Sequence, residues 1–259
     1  MLDIFNIPLY YISFKPSIQL EKKLKNVGFK KINHFAAVDG RKSTPINLLK
    51  NNTITIRSYH DLILGREQHT GIPGLGAIGC TLSHYELWML CVKNDLPYII
   101  IVEDDVKIPY ISKIDKKKIA KILEKKNSVF LGTTVEKDDK ITRAHGTHFC
   151  IIEHNAARFL VKYALPIDIQ TDHYICHLDS IGFINLYGIP IAKQEFHLTT
   201  THTNKSIKTY LPINNSFYIL FTIFILILIY CVSKKMCYIV LIISLLYLVF
   251  KNGYSAIVD

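Results

Sequence analysis

The chain has 259 residues, of which 49% are hydrophobic and 20% charged. That is enough for one large α/β domain or two small ones, and twelve glycines with nine prolines exclude collagen-like and low-complexity classes. Lys plus Arg number 31 against 21 Asp plus Glu, a formal net charge of +10. This suits a phosphorylated substrate, nucleic acid or an anionic membrane face; with no RNA-recognition, zinc-finger or basic-zipper pattern, no nucleic-acid partner is expected.

The start, Met1 to Phe14, carries Asp3 and no basic segment, so it is not read as a signal peptide. Leu9 to Phe14 reads as a first strand, followed by a helix near Ser17 to Asn26 that stops at Gly28. Phe29 to Val38 is a second short strand, ended by the Asp39-Gly40 turn. Lys42 to Gly74 is polar and weakly periodic, an excursion with room for one helix. Leu82, Leu87, Leu90 and Cys91 mark a helix over Cys80 to Lys93, broken at Asp95-Leu96-Pro97.

Tyr98 to Val102 is an unbroken apolar run of strand length, as for a strand buried on both faces. A helix follows at Lys116 to Lys125, with its lysines on a solvated face. Val129 to Gly132 and Phe149 to Ile152 are further strands, and Asn155 to Tyr163 is a helix stopped before Pro166. Strands alternating with helices predict a mainly parallel sheet with helices on both faces, an α/β domain over residues 1–210.

The positive mean hydropathy, +0.21, comes from the end of the chain. Phe217 to Phe250 holds no charge except Lys234 and Lys235. Residues 211–259 are therefore expected to be a membrane-anchoring tail with apolar helices over about 217–232 and 236–250. The first would be ~24 Å long at ~1.5 Å per residue, slightly short of a ~30 Å hydrocarbon core, as for a hairpin or re-entrant pair. The six cysteines form no CxxC pair and read as reduced thiols. The expected location is a membrane, with the domain on its cytoplasmic side.

The buried strand ends abruptly in Glu103-Asp104-Asp105. Open parallel sheets bind ligands at the carboxyl ends of their strands, and a cation relieves the repulsion of carboxylates gathered there. Alternation along an extended chain sends Glu103 and Asp105 to one side and Asp104 to the other. Two hard oxygen ligands in a cleft suit Mg²⁺ or Mn²⁺ bridging a diphosphate; the plain alternative is a solvated acidic turn.

Gly74-Leu75-Gly76-Ala77-Ile78-Gly79 matches a GxGxxG dinucleotide fingerprint in spacing, but Pro73 and the polar residues before it make the required preceding strand improbable. His173 and His177 are spaced to share a helix face, yet Tyr174 stands where a zinc protease needs Glu. They read as a satisfied pair. Ser83 and His84, adjacent on a helix, point in different directions and form no triad.

Gly76-Ala77-Ile78-Gly79-Cys80-Thr81-Leu82-Ser83-His84-Tyr85-Glu86-Leu87-Trp88, followed by Ile101-Val102-Glu103-Asp104-Asp105-Val106, resembles the central block of glycosyltransferase family 25. Phe35-Ala36-Ala37-Val38-Asp39-Gly40 is similar to that family's AVDG segment. Val129 to Gly132, Phe149 to Ile152 with Ala156-Ala157, and Leu165-Pro166-Ile167-Asp168 resemble later elements, so the likeness spans roughly Leu9 to Gln194.

The resemblance implies a GT-A fold and a nucleotide-sugar donor, a UDP-sugar first, with the acidic triplet as the DxD equivalent. It implies donor contacts at Asp39, Gly40, Ser83, His84, Glu103 and Asp104, and a Mn²⁺ or Mg²⁺ ion on Asp105 with Glu103. His202 or His197 is a further candidate metal ligand. An inverting transferase also needs a carboxylate base near the acceptor hydroxyl; Asp168 is the candidate, with Asp172 second. The implied function is transfer of a hexose, galactose among the candidates, to a glycan, a lipid-linked saccharide or a protein hydroxyl. Two departures, Ala77 for the family's Glu and Lys15-Pro16-Ser17 for its arginines, support an alternative: an inactive binding or scaffold protein on the same fold. A dinucleotide oxidoreductase is the third reading.

Overall fold

A computed structural model describes residues 3–65, 71–108, 111–132, 146–194 and 242–246. Each early boundary has a local cause. Strand β1 (Leu9–Ser13) leads to α1 (Ile18–Val27), whose first turn is capped by the Ser17 hydroxyl accepting from the Leu20 amide. Gly28, at φ 119°, closes it. Strand β2 (Ile32–Ala36) runs into a 3-10 turn over Gly40–Lys42, with Asp39 as its cap.

The polar excursion holds two helices rather than one, α2 (Pro45–Lys50) and α3 (Ile56–Leu64). Thr44 and Thr55 cap them through side-chain oxygens. Helix α4 (Leu75–Lys93) begins at Leu75, ahead of the expected Cys80. After β3 (Tyr98–Glu103) come β4 (Val106–Lys107), α5 (Lys113–Glu124), β5 (Ser128–Phe130) and β6 (Phe149–Glu153). Helices α6 (His154–Tyr163) and α7 (Thr171–Ser180) and strands β7 (Leu186–Gly188) and β8 (Lys193–Gln194) follow.

The six-stranded sheet has the order β2-β1-β3-β6-β5-β7. Every strand but β6 runs in one direction; β6 pairs antiparallel with both neighbours. The sheet is thus mainly parallel, as expected, with one reversal. Parity along the strands divides the core. Leu9, Tyr11, Ile100, Val102, Phe149 and Ile151 pack with Leu20 and Leu24 of α1 and Ile119 and Leu123 of α5. Ile99, Ile101, Cys150 and Ile152 pack on the other face against Leu87 and Trp88 of α4, Leu160 of α6 and Ile175 of α7. A smaller cluster joins α2 and α3 to the start of α4 through Leu48, Leu62 and Ile78. A separate two-stranded ladder pairs β4 with β8.

The chain divides into two compact units, Met1–Ile207 and Lys208–Asp259. Of the apolar tail, residues 242–246 are described and helical, and Ile242, Ile243, Leu245 and Leu246 are exposed. The rest of the tail segments expected over 217–232 and 236–250 lies outside the described residues. Among the described residues no helix is long and apolar enough to cross a membrane.

One close approach fixes how α4 sits on the sheet. A Cβ at Gly79 would overlap the Val38 carbonyl oxygen, and one at Gly40 would overlap the Leu75 carbonyl oxygen. The GxGxxG pattern therefore serves backbone contact, and residues 71–74 before it form no strand. In a free helix Gly→Ala stabilises by about 0.5–1 kcal/mol. Here Gly79→Ala is expected to destabilise by roughly 1–3 kcal/mol, the cost of overpacking. Urea denaturation of the two proteins checks the sign.

Candidate active site

Strands β1, β2 and β3 are parallel, so their carboxyl ends share one edge of the sheet. A cleft opens there. Its wall is formed by Ser13 and Phe14 at the end of β1, Asp39 and Arg41 after β2, and the acidic triplet at the end of β3, with Gly76, Cys80 and Ser83 of α4 opposite. This is where an open parallel sheet places a ligand.

Glu103 follows the parity of Ile99 and Ile101 and so faces α4. Its Oε1 accepts from the Thr147 hydroxyl at 2.5 Å and the His84 Nε2 at 3.0 Å, with the Cys80 Sγ at 4.0 Å. Burial pushes the Glu103 carboxyl up, but hydrogen bonding and attraction from His84, together with the Thr147 hydroxyl, outweigh it and hold it below its ordinary value. Burial and the nearby carboxylates Glu103, Asp172 and Asp105 push the Cys80 thiol well up.

The strand ends at Glu103, and Asp104 and Asp105 lie in a turn. Strict alternation therefore stops one residue early, and all three acids line the cleft. Asp104 is exposed. Asp105 is 6% exposed; its Oδ2 accepts from the Gln194 amide at 2.9 Å, while its Oδ1 is buried without a hydrogen-bond partner. Burial, then the Glu103 charge, pushes Asp105 up to about 6. An unsatisfied carboxylate oxygen among hard oxygen donors fits a Mg²⁺ or Mn²⁺ ion.

The other expected donor residues divide. Asp39 accepts from both the Arg41 amide and its Nε, the latter at 2.7 Å, and this pairing holds its carboxyl below the ordinary range. Arg41 lies over the Phe14 ring, 5.2 Å from its centroid. Gly40 lines the cleft but is fixed by its backbone contact. Ser83 is buried and accepts from the Val38 amide at 2.9 Å while donating to the Gly79 carbonyl. Ser83 and His84 do point apart, one to the turn after β2 and one to the end of β3.

Asp168 is not brought to this cleft. Ile167 bridges to Ile54 ahead of α3, and Asp168 accepts from Thr55 at 2.5 Å and from Arg57 at 3.3 Å. It lines a second hollow with Tyr163, Tyr174 and His177. The chain bearing Asp168 is tied to the α2–α3 excursion, so the candidate base lies apart from the cleft of the triplet. Asp172, in the first turn of α7, accepts from the Gly146 amide at 2.9 Å and acts electrostatically on Cys80. His202 and His197 lie outside the described residues. Thr147, Gln194 and Arg41 were not among the expected residues: Thr147 precedes the reversed strand, Gln194 arrives through the β4–β8 ladder, and Arg41 adjoins the recognised turn.

These features define an α/β protein with an acidic cleft at its strand ends, and comparison with known proteins gives its family. The model of glycosyltransferase family 25 (LPS biosynthesis protein) matches residues 7–143, over half the chain, and the chain belongs to that family. A Drosophila melanogaster protein named "Glycosyltransferase 25 family member" is 32% identical over 93 residues, 36% of this chain and 14% of that protein. The Haemophilus influenzae lipooligosaccharide biosynthesis protein lic2B is 58% identical over 31 residues, 12% of each chain. The matched stretches thus span a small part of these relatives' length. Among solved structures, the crystal structure of A197 from STIV aligns with a TM-score of 0.42 and 11% identity, covering 72% of this chain and 83% of that one.

Asp105 gives the site a pH signature. Its folded value lies above the ordinary carboxyl value, so the folded state binds more protons than the unfolded state between about pH 4 and 6. The contribution of Asp105 to stability is therefore full at low pH and is lost as pH rises through that window. An amide keeps an acceptor for Gln194, so Asp105→Asn is expected to exceed the wild type in stability at pH 7. That advantage should shrink toward pH 4, as urea midpoints at the two pH values will show.

Proposed function

We propose that the chain is a metal-assisted glycosyltransferase of GT-A type, moving a hexose such as galactose from a UDP-sugar to a hydroxyl of a glycan, lipid-linked saccharide or protein. The observation that carries this reading is the buried, unpartnered Asp105 oxygen in a cleft that also holds Glu103, Asp104 and Arg41. Asp105 with Asp104 or Glu103 would hold Mn²⁺ or Mg²⁺, which supplies charge neutralisation to the diphosphate leaving group. Arg41, steadied by Asp39 and Phe14, is placed to pair with a phosphate oxygen. Asp172 is the better candidate for the base that takes the acceptor proton, because Asp168 belongs to another hollow. The family membership and the named relatives support the reaction class. We assign the apolar tail to membrane attachment with the domain on the cytoplasmic side, on its sequence alone.

The inactive-scaffold alternative loses ground on position. Ala77 is buried in the cluster shared with α2 and α3 and does not line the cleft, and where Lys15 replaces an arginine after β1, the cleft takes its arginine from after β2, as Arg41. The residues that departed from the family pattern are thus not the ones the cleft presents.

Two experiments test the reading. Titration of the full chain with UDP in Mn²⁺ should give binding that Asp105→Asn abolishes; unchanged Mn²⁺-dependent affinity in a folded Asp105→Asn protein would overturn the metal assignment. With a donor found by screening UDP-sugars for Mn²⁺-dependent hydrolysis, Asp172→Asn should lower transfer by roughly 10²–10⁴-fold, the contribution of a positioned base, at near-constant UDP affinity. Asp168→Asn should stay close to wild type, and the reverse ranking would return the role to Asp168.

A further inference from the structure

Cys80 and His84 stand four residues apart on α4, so their side chains share a face one turn apart. The parity of β3 delivers Glu103 to that same face. The three donor atoms, one sulfur, one imidazole nitrogen and one carboxylate oxygen, all lie within 4.8 Å of one another. Nε2 of His84 is 3.0 Å and Sγ of Cys80 4.0 Å from Glu103 Oε1. A tetrahedral ion with bonds of ~2.0–2.3 Å spaces its ligand atoms about 3.3–3.7 Å apart, and the observed separations bracket that spacing.

From this geometry we infer that Cys80, His84 and Glu103 form a three-ligand site for a borderline-soft divalent ion, Zn²⁺ above all. A thiolate–imidazole–carboxylate set selects Zn²⁺ over Mg²⁺ or Mn²⁺. Cys80 and Glu103 line the cleft, so the fourth position opens to it, the arrangement of a zinc site that keeps an exchangeable ligand. On binding, the Cys80 S–H proton leaves to solvent as the Zn–S bond forms, and the His84 ring proton moves from Nε2 to Nδ1. Nδ1 has no hydrogen-bond partner, so the outer-shell support of the strongest zinc sites is missing and exchange is easy. The site rests on α4 and β3 and not on the donor reading. It commits Glu103 Oε1 to the soft ion and leaves the hard cation to Asp105 and Asp104.

Co²⁺ alone, added to the full chain, tests the site without nucleotide. The wild type should show a thiolate-to-Co²⁺ charge-transfer band that one equivalent of Zn²⁺ removes. Cys80→Ser, checked for an unchanged melting curve, should lack the band and bind Zn²⁺ at least ~10–100-fold more weakly, no less than losing an outer-shell partner costs. Asp105→Asn should keep both band and affinity. A wild type without the band, a band that survives Cys80→Ser, or a band lost in Asp105→Asn would each overturn the inference. None of these outcomes bears on Mn²⁺-dependent UDP binding, which is measured separately.

Discussion

The contact of two backbones at Gly40 and Gly79 is the constraint on which the site depends. Because neither residue carries a Cβ, the turn after β2 can press directly on α4. The Ser83 hydroxyl then ties the Val38 amide to the same helix. That seating carries Asp39 and Arg41 to the cleft and sets the distance between α4 and the end of β3. From the helix so seated, His84 and Cys80 reach Glu103. A glycine pattern that looks like a phosphate loop is here a joint between helix and strand.

The acids of the triplet then part ways by environment. Glu103 is held at the end of a strand buried on both faces, where an unpaired charge would be costly. It remains charged because the Thr147 hydroxyl and His84 offset its desolvation. Asp105 is more deeply buried, yet Gln194 is its side-chain donor and one of its oxygens is left unmatched. Neighbours in sequence thus become one satisfied and one unsatisfied carboxylate. That difference assigns them different tasks toward cations.

What could be read from the chain, and what could not, follows the range of the interactions. The Ile-Ile-Ile-Val run of β3, the Ser17 and Gly28 limits of α1 and the acidic step after β3 are local, and the structure places them where the residues imply. The reversed β6 is not local in that sense: the polar stretch 132–147 lacks the apolar repeat of a crossover helix, which was the available sign that no parallel return follows. The α2 and α3 helices are short and polar, and their caps at Thr44 and Thr55 were the signals to find them. The loop bearing Asp168 looks free in sequence, whereas Ile167 is paired with Ile54 across more than a hundred residues, a contact no local pattern signals. Cys80 and His84 carry a recognisable four-residue spacing, but their third partner, Glu103, comes from a different element and only the fold brings it to them.

The antiparallel course of β6 has a topological consequence. In a wholly parallel sheet, the ligand edge receives only segments that leave strands. Because β6 starts at that edge, with Phe149 opposite Val102, the segment entering it arrives there as well. Thr147 reaches Glu103 by this route, and the Gly146 amide reaches Asp172. One short stretch of chain therefore touches both the β3 acid and the α7 acid. Substitutions at Gly146 or Thr147 thus act on the contacts of both acids at once, without disturbing a single strand.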